Sequence, residues 1–164
     1  MTSNLKIRRP TPSDAPWLLN LFAAAVPGRE FLPRELLLMQ ELSQRSQWTQ
    51  RWGSAGESLV EFDGVPAARV WVAWSPSGLS IVELCVAPAF RGRGLGRRLL
   101  TDLCSAADIT GLAVKLTVDA ENAVARHLYE SLGFHVSVDQ VHMNDFSVVM
   151  TRTPQVLPEE MKTL

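Results

Sequence analysis

Hydrophobic and polar positions change their spacing several times along the chain, and these changes predict a mixture of strands and helices. LKIRR at 5–9 is typical of a short strand, and Ser13 or Asp14 after it can cap a helix over 15–25. Residues 32–52 then repeat apolar positions with helical spacing. We expect the apolar stripe of this second helix to face the core, through Leu36, Met39, Leu42, Trp48 and Trp52.

The middle of the chain alternates apolar and polar residues, which is typical of half-buried strands. The runs are SLVEF at 58–62, ARVWVAW at 68–74 and SIVELCV at 80–86, and Asp63 and Gly64 form the first turn. Asp-Gly between two strands favours a tight hairpin. These three runs therefore predict an antiparallel meander.

Helical spacing returns at 96–107 and at 123–132, where the following Gly133 is typical of a helix C-terminus. Three further runs predict strands: VKLTV at 114–118, FHVSV at 134–138 and FSVVMT at 146–151. The last two are expected to pair as a final hairpin. We predict a single domain over 1–152 and a C-terminal tail, 153–164, which lacks periodicity.

Composition narrows the classes of partner. The 164 residues, 46% of them hydrophobic, are enough for one domain with a sizeable core. The 16 basic and 17 acidic side chains nearly cancel, so nothing attracts the whole chain to nucleic acids or anionic membranes. No secretory signal pattern is present, and no apolar run approaches the roughly 20 residues of a membrane span. We expect a soluble cytoplasmic protein that binds neither nucleic acid nor membrane.

Neither the cysteines nor the histidines have the spacing of a metal site. Cys85 lies in a strand-like run and Cys104 in a helical one, and both are predicted to be reduced, buried thiols. The spacing of the histidines places no two of them on adjacent turns of one helix face: His127, His135 and His142. The sequence therefore predicts no bound metal.

One short stretch concentrates positive charge. VAPAFRGRGLGRRLL at 86–100 places four arginines and three glycines where a predicted strand gives way to a helix. The free N–H groups at a helix start bind anions, and glycine allows close backbone approach or positive φ. Arginine side chains add charge that can pair with phosphate oxygens, here Arg91, Arg93, Arg97 and Arg98. The stretch is predicted to bind a phosphate group.

Two common phosphate-binding loops do not match this stretch. A Walker loop ends in Gly-Lys-Ser or Gly-Lys-Thr, whereas Gly96 is followed by Arg97 and Arg98. The dinucleotide fingerprint needs GxGxxG within a βαβ unit, whereas Gly92, Gly94 and Gly96 give GxGxG after a predicted meander. Both classes are therefore excluded.

The stretch resembles the acetyl-CoA loop of the GNAT N-acetyltransferase superfamily, in which an apolar strand and Val-x-Pro precede Arg/Gln-x-x-Gly-x-Gly/Ala. The matching residues are Val86, Pro88, Arg91, Gly94 and Gly96. NAVARHLYESLGF at 122–134 is similar to a later family motif, through Asn122, Ala125, Leu128, Tyr129, Glu130, Leu132, Gly133 and Phe134. The opening LKIRRPTPSDAP is similar to family N-termini, although it is less specific.

The resemblance implies an α/β fold of the α+β kind, a mixed, mostly antiparallel sheet of about six to seven strands flanked by helices. The strand ending at Val86 would splay from the strand at 114–118, and acetyl-CoA, the cosubstrate, would lie in the opening. Its pantetheine would pair with the backbone of Leu84, Cys85 and Val86. Its thiol end would be bordered by Asn122 and Tyr129. The pyrophosphate would contact the loop residues Arg91, Gly92, Arg93, Gly94, Leu95, Gly96 and Arg97.

The chemistry that the resemblance implies is transfer of an acetyl group to a primary amine by direct attack in a ternary complex. This reaction needs a neutral amine, a donor for the oxyanion and a proton for the thiolate. A backbone N–H at Leu84 or Cys85 could serve the oxyanion. Tyr129 matches the family's general acid, and the alternative is that its ring only packs against the cofactor or the core.

Glu83 is the candidate base, because a carboxylate inside an apolar strand is costly unless it is paired or open to a cleft. A structural ion pair with Arg69 across the meander is an equal alternative. Several relatives carry a glutamate five residues before the motif asparagine, where this chain has Thr117. Base catalysis could therefore fall to Glu83, to Asp119 or Glu121, or to a water chain.

The resemblance implies that 27–52 and 135–146 select the acceptor, a small-molecule or peptide amine, and it allows a homodimer. The leading hypothesis is an acetyl-CoA-dependent N-acetyltransferase. The alternative is a non-catalytic acetyl-CoA-binding regulatory module, which Thr117 in place of glutamate keeps open. A nucleic-acid role for RGRGLGRR would need a wider basic surface with interleaved aromatics, which the sequence does not supply.

Overall fold

The computed structural model describes residues 4–54, 56–138 and 146–155. The helices described are α1 (Ala15–Ala24), α2 (Arg34–Trp52), α3 (Leu95–Thr110) and α4 (Ala123–Ser131). The strands described are β1 (Leu5–Arg8), β2 (Glu57–Phe62), β3 (Val65–Ser75), β4 (Gly78–Val86), β5 (Val114–Asp119), β6 (His135–Val136) and β7 (Ser147–Arg152). None of the helices in this part of the chain has both the length and the apolar character of a membrane span.

The strands form a seven-stranded sheet in the order β1-β2-β3-β4-β5-β7-β6. β1 with β2, β2 with β3, β5 with β7 and β6 with β7 pair in the antiparallel sense. β4 and β5 run parallel, with Leu79 opposite Val114 and Ile81 opposite Leu116. A mixed, mostly antiparallel sheet with flanking helices confirms the predicted fold class.

The contacts divide the chain into two compact units. The first unit contains the described residues up to 73 together with 83–96, and the second contains 74–82 and the described residues from 97 onward. The first unit buries the inward side chains of β2 and β3, and Leu19, Phe22 and Leu37 form a second apolar cluster between α1 and α2. The second unit buries apolar residues of β4, α3, β5 and β7, among them Leu79, Leu100, Ala107, Val114 and Met150.

The first turn of the meander has the predicted hairpin geometry. Asp63 and Gly64 both have positive φ, 50° and 80°, as a two-residue turn between right-twisted strands requires.

Asp14 is the N-cap residue of α1, but its carboxylate accepts from the Arg8 guanidinium at 2.7 and 2.8 Å and from Thr11 N rather than from a helix amide. Hydrogen bonding to Arg8 holds the pKa of Asp14 well below its usual range.

The predicted core-facing stripe of α2 is wrong for three of its five residues. Leu36, Met39 and Leu42 are exposed, and the residues that α2 buries are Leu37 and Glu41. Helical periodicity predicted the helix, and Trp48 and Trp52 are half-buried. It misplaced the buried face in the first part of α2, because a carboxylate can be buried when a guanidinium neutralises it. Arg45 supplies that charge one turn later, donating to Glu41 Oε1 at 2.8 Å.

The last two strands pair as predicted, although β6 is only two residues long. His135 lies opposite Thr151, and Val136 lies opposite Met150. Residues 139–145, which include His142 and most of the predicted acceptor segment at 135–146, lie outside the described residues, as do 156–164 of the predicted tail. The predicted domain boundary at 152 coincides with the end of β7 and stays a prediction.

A buried ion pair fastens β7 to α3 in the second unit. Arg152 donates to both carboxylate oxygens of Asp108, at 2.7 and 2.8 Å, and its Nε donates to Leu132 O at 2.9 Å. Less than a tenth of either side chain is exposed. A buried pair of this kind is costly to break, because the remaining charge has lost its solvation as well as its partner.

We predict that Asp108→Asn lowers the free energy of unfolding by about 3 kcal/mol, because it leaves Arg152 buried without a counter-charge. Arg152 holds the pKa of Asp108 below its ordinary value. The difference between wild type and variant should therefore be complete above about pH 4 and disappear as the pH falls through the lower pKa of the folded state. Urea denaturation at several pH values measures it, and Asp102→Asn, at an exposed position of α3, is the control.

Candidate active site

The loop between β4 and α3 has a backbone that requires glycine at two positions. Gly92 and Gly94 have φ values of 72° and 78°, and a Cβ at either would meet nothing within 4 Å. Conformation rather than space therefore selects glycine at both positions. Gly96 has ordinary φ, and a Cβ added there would lie 3.7 Å from Val86 Cγ2 and 3.8 Å from Leu84 Cδ2, which is ordinary contact. The loop leads directly into the first turn of α3, whose N–H groups have no partner within the helix.

Arg91 fastens this loop to its surroundings. Its Nε donates to Val86 O, at the end of β4, at 2.9 Å, and its NH2 group donates to Ala24 O, at the end of α1, at 3.2 Å. Carbonyls at a helix C-terminus lack partners within the helix, so the guanidinium satisfies one of them. The sequence predicts Arg91 as a phosphate ligand, and the structure gives it these two contacts within the protein.

The other arginines of the stretch are distributed differently. The guanidinium carbon of Arg93 lies 5.7 Å from the centre of the Phe90 ring. In the second unit, Arg97 donates to Ser131 Oγ at 3.0 Å. Arg93, Arg97 and Arg98 are all exposed, so each is free to contact a charged ligand from the solvent side.

The C-terminal half of β4 carries Leu84, Cys85 and Val86, each of them partly buried. Burial, assisted by the nearby Glu83 carboxylate, raises the pKa of Cys85 to about 11. The thiol is therefore protonated at neutral pH and is a poor nucleophile. Cys85 and Cys104 both carry free thiols, and only Cys104 is fully buried.

Glu83 makes the ion pair that the structural alternative predicted. Arg69 Nε lies 3.3 Å from Glu83 Oε2, and about a fifth of the Glu83 side chain is exposed. Burial raises the pKa of Glu83, Arg69 opposes that rise, and the carboxylates of Glu57 and Glu41 add to it. A paired carboxylate can therefore still have an increased affinity for a proton, which is the property of a general base.

The residues of the second motif lie in the second unit. Asn122 is the N-cap of α4, and its Oδ1 accepts from Ala125 N at 3.1 Å. The Tyr129 ring packs against the ring of Phe134, with centroids 5.9 Å apart. Burial raises the pKa of Tyr129, so the phenol stays protonated at neutral pH and able to donate.

The alternative base candidates are less enclosed. Asp119 and Glu121 are both exposed at the end of β5, and Asp119 Oδ1 accepts from Glu121 N at 2.9 Å. Thr117 is exposed on β5, opposite Val149. Among the residues that the structure describes, no three His, Cys, Asp or Glu side chains are grouped so as to hold a metal ion.

Comparison with known proteins identifies the family. The model of the acetyltransferase (GNAT) family matches residues 27–134, about two thirds of the chain. The chain belongs to this family. Its likeness to solved structures extends over nearly its whole length: the ribosomal-protein-S18-alanine N-acetyltransferase of Escherichia coli is 21% identical with a TM-score of 0.66, and 95% of this chain and 97% of that one are covered. A Pyrococcus horikoshii protein, PH1933, gives a TM-score of 0.69 at 18% identity, covering 93% and 100%.

Two curated relatives are more similar in sequence. The mycothiol acetyltransferase of Rothia mucilaginosa is 36% identical over 162 residues, which cover 87% of this chain and 45% of that protein. The ribosomal protein bS18-alanine N-acetyltransferase of Salmonella typhimurium is 44% identical over 57 residues, which cover 34% of this chain and 38% of that protein. The chain thus spans less than half the length of these relatives.

Sequence reasoning missed most of a cluster of charged side chains in the first unit of this GNAT chain. The buried ionic cluster consists of Glu41, Arg45, Glu57, Arg69 and Glu83. One signal was visible in the sequence, because Glu41 and Arg45 have the spacing of a helical ion pair. The ion pairs that join α2 to β2 and β3 could not be seen in the sequence, since they depend on which face of the helix meets the sheet.

We predict that Gly94→Ala and Gly64→Ala each lower the free energy of unfolding by about 1 kcal/mol, because both force alanine into a left-handed conformation. The two glycines have φ values of 78° and 80°, and neither has an atom near its missing Cβ. Equal losses in thermal or urea denaturation are therefore expected. A much larger loss at Gly94 would show that the loop is held by contacts beyond its own backbone.

Proposed function

We propose that the protein is an N-acetyltransferase that moves the acetyl group of acetyl-CoA to a primary amine by direct attack in a ternary complex. The observation that carries this proposal is the β4–α3 loop of a GNAT family member, whose glycines at 92 and 94 bend the backbone into positive φ just before a helix N-terminus. Such a backbone presents successive N–H groups to an anion. The pyrophosphate of acetyl-CoA is the anion that the family resemblance supplies.

In this proposal the backbone of the loop, from Gly92 to Arg97, binds the pyrophosphate. Arg91 holds the loop in place through Val86 O and Ala24 O, while the exposed Arg93 and Arg97 add charge at its rim. The backbone of Leu84, Cys85 and Val86 pairs with the pantetheine, and Asn122 keeps the start of α4 in place through its cap. The cofactor-binding roles rest on the match to the family motifs.

The transfer itself forms a C–N bond and breaks a C–S bond. The neutral amine attacks the thioester carbonyl, and a backbone N–H at Leu84 or Cys85 stabilises the oxyanion. The tetrahedral intermediate expels the CoA thiolate, which takes a proton from the Tyr129 hydroxyl. The amine nitrogen loses its proton to Glu83, directly or through water. The raised pKa of Glu83 suits its role as proton acceptor, and Tyr129, whose pKa is also raised, carries the proton that a donor needs at neutral pH.

The proposed acceptor is the amine of a small molecule or of a peptide. One relative is named for mycothiol and others for an alanine of a ribosomal protein, so both classes of amine belong in a screen. Residues 27–52 and 135–146 are proposed to select among them. We also propose a cytoplasmic location, no binding to nucleic acid or membrane, and a homodimer as the assembly to test.

A second candidate function is a non-catalytic acetyl-CoA-binding regulatory module. Two observations favour it: Thr117 replaces the glutamate of several relatives, and Arg69 already pairs with Glu83. The two functions differ in turnover. Release of CoA thiol in the presence of amines identifies the enzyme, whereas stabilisation by acetyl-CoA without thiol release on any amine identifies the module.

We predict that acetyl-CoA at a hundredfold excess over its Kd raises the stability of the wild type by about 2.7 kcal/mol. Gly94→Ala should lose most of this gain, because a Cβ there occupies space that the pyrophosphate needs for close approach to the backbone. Gly64→Ala, with the same backbone strain in the β2–β3 turn, should keep it. Thermal denaturation with and without acetyl-CoA measures both, and equal gains in the two variants would contradict the assignment of the loop.

We predict that Tyr129→Phe lowers kcat by at least about tenfold and changes the KM for acetyl-CoA little, because the variant keeps the ring against Phe134 and removes only the proton donor. Steady-state thiol release measures both constants. Full turnover by Tyr129→Phe would show that the thiolate is protonated by another group, and the tyrosine would then be a packing residue.

A further inference from the structure

The buried ionic cluster has two arginines shared among three glutamates. Arg45 donates to Glu41 Oε1 at 2.8 Å and to Glu57 Oε2 at 2.6 Å. Arg69 Nε lies 3.0 Å from Glu57 Oε1 and 3.3 Å from Glu83 Oε2, and its NH1 group lies 3.8 Å from Glu41 Oε1. Glu57 therefore touches both guanidiniums, whereas Glu83 touches Arg69 alone.

The surroundings of the cluster exclude water from most of it. Arg69 is 2% exposed, Glu41 is 6% exposed and Glu57 is 7% exposed. The rings of Trp71 and Trp48 lie 5.3 and 5.5 Å from the guanidinium carbon of Arg69. In such a setting charge interactions are weakly screened, so a change on one carboxylate is felt by the others.

The charges of the cluster do not balance. Three carboxylates and two guanidiniums leave one negative charge in excess when all are ionised. The least enclosed carboxylate is Glu83, whose side chain is 19% exposed, compared with 7% for Glu41 and 8% for Glu57. Glu83 is also the member with the fewest ion-pair contacts, so the excess charge is neutralised most easily by a proton there.

We propose that Glu57 is a positioning residue for the base: by sharing Arg69 with Glu83, it keeps Glu83 only partly neutralised and so able to accept the proton of the acceptor amine. This inference deepens the proposed function and rests on Glu83 as the base. If Arg69 belonged to Glu83 alone, the pair would be a closed ion pair and Glu83 a weak proton acceptor. Glu57, on β2, thus acts on the reaction through β3 without touching the substrate.

The other charged groups around Glu83 act in known directions. Glu41 raises its proton affinity, and Arg45 lowers it. Arg29, which follows α1 and donates to Phe22 O at 2.9 Å, interacts with both Glu83 and Cys85. Cys85, on the same strand, is protonated at neutral pH, as its raised pKa requires. Substituting Glu57 therefore removes the closer of the two carboxylates that share Arg69 with Glu83, at 3.0 Å compared with 3.8 Å for Glu41.

The test uses the full chain labelled with ¹³C at the glutamate carboxyl carbons, followed by NMR from about pH 3 to about pH 9, a range that brackets ordinary and raised glutamate pKa values. The Glu83 resonance is identified by its loss in Glu83→Gln. In Glu57→Gln, Arg69 is released to Glu83, and the pKa of Glu83 should fall by about one pH unit. Glu57→Asp, which keeps the charge, should leave most of the wild-type value.

The matched control is Glu61→Gln, on the same strand. Glu61 pairs with Arg8 at 2.6 Å and lies outside the cluster, so its neutralisation should leave the Glu83 titration unchanged even if stability falls. Glu41→Gln, 3.8 Å from Arg69, should give a smaller shift than Glu57→Gln and serves as the test if Glu57→Gln does not fold. An unchanged Glu83 titration in folded Glu57→Gln, or in Glu41→Gln where it stands in, overturns the proposal.

Kinetics then separate this inference from the proposed function. If the protein is an acetyltransferase with Glu83 as base, Glu83→Gln loses turnover, and the acidic limb of kcat/KM in Glu57→Gln moves to lower pH with the NMR titration. A titration shift together with undiminished turnover of Glu83→Gln would support the coupling within the cluster and reject Glu83 as base. A loss of turnover in Glu83→Gln with no shift of the Glu83 titration in Glu57→Gln would support Glu83 as base and reject the coupling to Glu57.

Discussion

A guanidinium removed from water costs several kcal/mol unless carboxylates and aromatic rings replace its hydration. Arg69, at 2% exposure in β3, imposes that requirement on the first unit. Carboxylates from β2 and β4 lie within 3.3 Å of its Nε, and the rings of Trp48 and Trp71 lie beside its guanidinium. The orientation of α2 follows from the same requirement, since this helix turns Glu41 inward and leaves Met39 and Leu42 exposed.

The same arginine connects the packing of the unit to its chemistry. Glu83 belongs to the strand whose next three residues are proposed to pair with pantetheine, and in the proposed mechanism the ionic cluster acts on the reacting atoms through this one side chain. A carboxylate held by an arginine usually loses affinity for protons, and here burial and neighbouring carboxylates outweigh that effect. This arrangement is the physical basis for proposing Glu83 as the base in a GNAT chain that has Thr117 in place of a glutamate.

The β4–α3 loop depends on a different constraint, namely the conformation of its backbone. Gly92 and Gly94 need positive φ, and Arg91 ties the start of the loop to Val86 O and Ala24 O. In the proposed function the backbone N–H groups of this loop bind the phosphate, so the identity of most side chains in the loop matters little. The geometry requires glycine at 92 and 94, and a pattern of glycines can be recognised in the sequence without knowledge of the tertiary structure.

Local patterns in the sequence were enough for the order of strands and helices, the Asp63-Gly64 turn and the glycine end of α4, because each depends on residues adjacent in the chain. The same patterns failed for part of the buried face of α2, where Leu37 and Glu41 are buried and the predicted Leu36, Met39 and Leu42 are exposed.

Hydrophobic periodicity ranks each side chain separately by its free energy of transfer from water. It therefore does not predict a buried charge whose partners lie on other strands. By itself the sequence determined the elements, the glycine loop and the family to which it belongs. Only the tertiary structure decided that Glu83 and Glu57 share Arg69, since their strands are separated along the chain and meet only in the sheet. Each of these charges can be buried only because the others neutralise it.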